Sequence, residues 1–180
     1  MTNARSQPTW LTNDGITTLS LLASFLLLCM FFSVQTEFFF SSANAINLAR
    51  TLAIVGIAAI GMTLALISGG VDISVGSVAA LAGVLVSYFW QLNIPLGLST
   101  LLALGCCTLV GLVNGLIITV LKINPLITTL ATFSIVRGLA FFISEGPTNQ
   151  LNNAGFTFLG RGSLAGFPFS LVLMLSLYVL

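Results

Sequence analysis

The sequence predicts an all-α, polytopic transmembrane helical bundle, with about five complete spans and a truncated sixth. Three observations lead there. The 180 residues are 57% hydrophobic and only 5% charged, where a soluble domain carries about a quarter charged residues. Mean hydropathy is +1.13. Long uncharged runs are separated by short clusters of Pro, Gly, Asn and charge, the pattern of helices that cross a bilayer and turn at its faces.

Each span follows from those limits. No charge occurs between Asp14 and Glu37, and a helix needs roughly 20 residues to cross a hydrocarbon core of about 30 Å. Residues 16–34 therefore form the first span, behind a short N-terminal tail at 1–15. Ala43-Asn44-Ala45 has the small-x-small form of a signal-peptide cleavage site, but it lies far past the apolar run and only Arg5 supplies a basic start, so the run is read as a span. Residues 35–50 form a polar and aromatic connection, with Phe38, Phe39 and Phe40 suited to the membrane interface. Residues 51–67 are the second span.

Asp72 to Lys122 is again uncharged, and too long for one helix. Gln91-Leu-Asn-Ile-Pro95 divides it into a third span at 73–90 and a fourth at 96–121, with Tyr88 and Trp90 at the boundary. Lys122-Ile-Asn-Pro125 is a turn, and Pro125 suits the first turn of a fifth helix reaching residue 143. Residues 144–166, with Glu145, Pro147, several glycines and Arg161, make the longest polar connection. Residues 167–180 open a sixth span that is short for a crossing. Charge does not orient the bundle: with the N-terminus inside, Arg5 and Lys122 balance Arg50 and Arg161.

Composition also excludes functions. Five basic and four acidic residues provide no field for nucleic acid. Without histidine, imidazole catalysis is impossible. Cys29 and the adjacent Cys106-Cys107 lack zinc or redox spacing, so no metal site is expected and the thiols read as small apolar side chains. No GxxxxGK[ST], GxSxG or HExxH occurs, so the chain should neither hold ATP in a P-loop nor catalyse a reaction.

The polar break Ile67-Ser-Gly-Gly-Val-Asp-Ile-Ser-Val-Gly76 stands out. Gly69, Gly70 and Gly76 free the backbone, and Asp72 and Ser74 bring polar groups between two apolar helices. Irregular backbone at membrane depth persists only inside protein or beside water, and such glycine-interrupted pairs point to a substrate path. Asp72 has two readings, a cap for a helix beginning at Ile73 or a conduit-lining carboxylate. Arg137, deep in the fifth span, should face protein or water, as a structural clamp or a pathway group. Asn114, Thr128, Thr129 and Thr132 can trade hydrogen bonds with a polyol, or tie helices to one another and to their own backbones. Gly111/Gly115, Gly61/Ala65, Gly76/Ala80 and Ala79/Gly83 repeat the small-xxx-small spacing of close helix crossings.

Residues 62–77, which hold this break, resemble the segment that marks the permease subunits of bacterial ATP-driven monosaccharide importers, the ribose, xylose and arabinose group. Gly111-Leu-Val-Asn-Gly115 through Lys122-Ile-Asn-Pro-Leu-Ile-Thr-Thr-Leu-Ala-Thr132 and Ile135-Val-Arg-Gly-Leu139 resemble the next part of that family, and Phe38 to Asn47 its first external loop. The resemblance implies the N-terminal half of a permease, lacking the ATPase-docking loop and later helices. It implies a cytoplasmic tail at 1–15 and a bacterial inner-membrane location. The residues read above as candidates for a translocation pathway or gate are Gly69, Gly70, Asp72, Ser74, Gly76, Asn114, Thr128, Thr129, Thr132 and Arg137.

Implied partners are an ABC ATPase subunit that uses the ATP, a periplasmic sugar-binding protein and a second permease subunit, homodimeric or heterodimeric, within the lipid bilayer. Similarity around Lys122-Ile-Asn leans toward the arabinose branch. Other readings are a branched-chain amino acid-type permease, a passive channel or facilitator, and a non-transporting truncated fragment.

Overall fold

The computed structural model describes residues 13–144, 153–164 and 166–179. Most of the expected tail, Arg5 and Glu145 lie outside the described residues. The chain is an α-helical membrane protein: α1 (Asn13–Gln35), α2 (Ser42–Ile67), α3 (Val75–Gln91), α4 (Leu96–Thr119), α5 (Pro125–Ile143), α6 (Ala154–Arg161) and α7 (Phe169–Val179), with two-residue strands β1 (Ser163–Leu164) and β2 (Phe167–Pro168) before α7. Helices are the local answer to these apolar runs, because hydrocarbon offers no partner to a backbone N–H or C=O.

Four described helices, α1, α2, α4 and α5, are long and apolar enough to cross a membrane. The third expected span falls short of that length: α3 has 17 residues, about 25 Å at 1.5 Å per residue.

The chain divides into two compact units, Met1–Leu48 and Ala49–Leu180. In the first, α1 buries none of its apolar window. The connection after it is shorter than expected, because Ser41 Oγ accepts the Asn44 N–H at 3.2 Å and so caps a helix that starts at Ser42 rather than near Thr51. Asn44 Nδ2 donates to Phe39 O at 2.8 Å, and the Phe32 and Phe39 rings stack with centroids 6.1 Å apart.

In the second unit α3 is central, packing on both α4 and α5. Leu81, Leu85 and Val86 of α3 meet Ala103 of α4 and Val136 and Ala140 of α5 in the buried core. Turn chemistry fixes the connections. Asn93 is left-handed at φ 62, which lets the Ile94 N–H donate to Phe89 O and close α3 ahead of Pro95. Asn124 Oδ1 accepts the Leu126 N–H at 2.9 Å, and Pro125 occupies the first turn of α5 as its fixed φ favours.

The connection expected to be irregular at 144–166 contains α6. Asn153 Oδ1 accepts the N–H groups of Gly155 and Phe156, and Phe156 packs against the core. Arg50 Nη2 donates to the carbonyl of Arg161 at 2.7 Å, satisfying the C-terminal end of α6. Antiparallel pairing of Ser163 with Pro168 and Leu164 with Phe167 is closed by Gly166 at φ 87. α7 follows at Phe169, and its Met174 lies so close to Gly56 of α2 that a Cβ there would run into its sulfur.

Candidate functional site

The polar break is built from four helix ends. α2 stops in a paired C-terminal motif: the Gly70 N–H donates to Ala65 O and the Gly69 N–H to Leu66 O, with Gly69 left-handed at φ +86. Only a residue without a Cβ adopts that angle at no steric cost. A Cβ on Gly70 would lie 3.2 Å from Pro125 Cβ, so the second glycine brings the loop against the start of α5.

Asp72 does not cap a helix beginning at Ile73, since α3 starts at Val75 and residues 73–74 form a turn. Its Oδ1 accepts both the Ser74 N–H at 2.8 Å and the Ser74 hydroxyl at 2.6 Å. The carboxylate thus organises the turn before α3, the short-range role that Asp plays in such turns. Ser74 is 1% exposed.

From there a hydrogen-bonded chain crosses three helices. Asn114 Nδ2, on α4, donates to Ser74 Oγ at 3.3 Å, and Asn114 Oδ1 accepts the hydroxyl of Thr132, on α5, at 2.5 Å. Each hydrogen bond of the chain, from Thr132 to Asn114 to Ser74, donates in the direction of Asp72. A carboxylate at the end of such a chain polarises each bond in turn. In parallel, Thr129 Oγ1 donates to Val71 O at 3.2 Å, tying α5 to the loop. Thr128 instead returns its hydroxyl to Asn124 O in its own helix.

Beside the chain is a cleft of about 260 Å³, lined by Ser68 to Asp72, by Gly111, Asn114, Gly115, Ile118 and Thr119 of α4, and by Pro125 and Thr129 of α5. It opens where α2 and α4 end and where α3 and α5 begin. The structure therefore brings Gly69, Gly70, Asp72, Asn114 and Thr129 to one cavity, with Ser74 and Thr132 bonded behind it. Gly76 is exposed, and Arg137 is exposed with its guanidinium carbon 5.8 Å from the Phe133 ring centroid; neither lines the cleft.

Sequence reasoning missed Ser68, Ile118 and Thr119, and on α4 it named Asn114 but not the glycines beside it as lining the path. The signal was present in Gly111-Leu-Val-Asn-Gly115, taken above for a close-crossing motif. A Cβ on Gly111, Gly115, Gly61, Gly76 or Gly83 would meet nothing within 4 Å, so within the described chain these glycines make no tight crossing, and two of them leave room for the cleft. Among the described residues no three potential metal-ligating side chains gather. The site offers one carboxylate, an amide, hydroxyls and bare backbone, the groups that exchange hydrogen bonds with a neutral polar solute.

The model of the family described as "Branched-chain amino acid transport system / permease component" matches residues 44–180. The chain is 37% identical over 156 residues to the ribose import permease protein of Bacillus subtilis, covering 86% of this chain and 48% of that one. It is 39% identical over 125 residues to the L-arabinose transport system permease protein of Escherichia coli, covering 69% and 38%. It is 37% identical over 125 residues to the galactofuranose transporter permease protein of Escherichia coli, covering 69% and 37%. The chain thus spans less than half the length of each of these three relatives. No solved structure matches it. A matched family model over residues 44–180, with sugar permeases among its relatives, makes this chain a member of the ABC transporter permease family.

Proposed function

We propose that the chain is the membrane-spanning permease component of an ATP-driven monosaccharide importer and contributes to its translocation pathway. The cleft carries this reading: a cavity lined by Asp72, Asn114 and Thr129 at the ends of membrane helices is what a polar solute needs and lipid contact does not. Relatives named for ribose, arabinose and galactofuranose support a sugar over an amino acid. In this reading Gly69 and Gly70 let the break flex, and Asp72, Asn114 and Thr129 meet the solute. Ser74 and Thr132 hold those groups in place. Five helices cross the inner membrane, α3 as the shortest, with α7 beginning a sixth crossing. A separate ATPase subunit hydrolyses ATP, a periplasmic protein delivers the sugar, and a second permease subunit completes the path.

Uptake of radiolabelled ribose, arabinose and leucine into right-side-out vesicles, with the ATPase and binding protein co-produced, tests it. A sugar should accumulate only with ATP and binding protein. Uptake indifferent to both marks a passive channel, and accumulation of leucine alone marks an amino acid permease.

A further inference from the structure

Arg137 stands on the side of α5 that the rest of the described chain leaves bare. Val136 and Ala140 face the core, whereas Ala131, Ser134, Ile135, Arg137, Gly138 and Phe141 are exposed. Twelve residues beyond Pro125, Arg137 lies about 18 Å along the helix and about 9 Å short of its C-terminal end.

A charge at that depth ordinarily snorkels to the nearer interface. This one does not. Helical side chains lean toward the N-terminus, and the guanidinium sits over Phe133, one turn back and deeper in the span. Asp72 does not meet it: its loop is tied through Val71 to Thr129, about 12 Å along α5 from Arg137, and its Oδ1 is held by Ser74. Among the described residues Arg137 enters no ion pair. A cation fixed at this depth and facing hydrocarbon is strongly unfavourable.

We propose that this face of α5 docks another transmembrane helix, one that presents a carboxylate at the depth of Arg137. Charge complementarity selects the occupant. The guanidinium carbon lies 5.8 Å from the Phe133 ring centroid and its N–H groups meet no hydrogen-bond acceptor among the described residues, which leaves them for a planar, bidentate acceptor, and a carboxylate supplies one. Ala131, Ser134 and Gly138 lie along the same exposed side and allow close approach. The Ser134 hydroxyl is already turned back to Leu130 O, so the arginine is the polar group left to specify the partner. The proposal does not rest on the transport reading.

The test uses the assembled protein in its native membranes. Lys122 is the single lysine, so Lys122→Arg with Arg137→Lys leaves one side-chain amine, at residue 137. Dicyclohexylcarbodiimide, which enters lipid, adds to a neighbouring protonated carboxyl; the amine then displaces dicyclohexylurea and forms an amide. Peptide mapping should find residue 137 joined to an Asp or Glu of a membrane-spanning peptide, and Lys122→Arg alone should give none. Its sequence tells a second copy from another helix.

In parallel, with Arg137 intact, Ser134→Cys in a chain whose other cysteines are replaced carries a nitroxide. The label should be shielded from both dissolved oxygen and a water-soluble nickel chelate. Oxygen access places the face against lipid and chelate access places it against water, and either overturns the proposal. A shielded label with no amide at residue 137 removes the carboxylate, and the proposal with it.

Discussion

Asn114 Nδ2 donates to Ser74 Oγ at 3.3 Å, joining α4 to the turn before α3 across 40 residues of sequence. Both residues are almost wholly buried, and the bond couples the cleft-lining Asn114 to the turn behind it. In a double-mutant cycle of Ser74→Ala and Asn114→Ala, thermal unfolding in detergent should show a coupling of about 0.5–3 kcal/mol. Additive effects would mean that the two side chains are independent.

Gly69→Ala should destabilise the fold by about 1–2 kcal/mol, because φ +86 places a Cβ against the following carbonyl. Gly61→Ala is the control, in a helix with open space around it. It should gain about 0.5–1 kcal/mol, as Ala does over Gly inside a helix. Unfolding temperatures moving in opposite directions check both.

Gly69 and its neighbour Gly70 show where the sequence was readable. The Gly69-Gly70 break announced itself because paired glycines and a carboxylate have no business inside an apolar run, and α5 was placed from Pro125 to Ile143 because Asn124 and Pro125 are local start signals. The start of α2 was hidden because Ser41 caps it from within a stretch that reads as a loop. α6 was hidden because Asn153 and the distant Arg50 complete its ends. Asn114 could be named as polar but not as the junction of Ser74 and Thr132, since that depends on how three helices pack. The spacing of Gly111 and Gly115 is equally compatible with a tight crossing and with a cavity, and only packing distinguishes them.

Gly56 and Met174 are in such close contact that a side chain at the first displaces the second. Gly56→Val should lower stability by about 1–3 kcal/mol through overpacking, and Met174→Ala should restore part of the loss. An unchanged unfolding temperature for Gly56→Val would show that α7 does not rest on α2.

A Cβ at Gly115 meets nothing within 4 Å, so the side chain of Gly115→Leu extends into the cleft that this glycine lines. The variant should reach the membrane in normal amount while sugar uptake falls at least tenfold. Normal uptake would show that the cavity is not on the solute's path.

The most direct measurement is the reaction of cleft cysteines with a membrane-impermeant maleimide. With Cys29, Cys106 and Cys107 replaced, Ser68→Cys and Asp72→Cys in the assembled transporter should be labelled from one face of the membrane, and their rates should change when nucleotide is trapped. Ser74→Cys, behind the cleft at 1% exposure, should resist. If Ser68→Cys and Asp72→Cys stay unreactive from both faces in every nucleotide state, the cleft holds no water and the translocation role assigned to it is wrong.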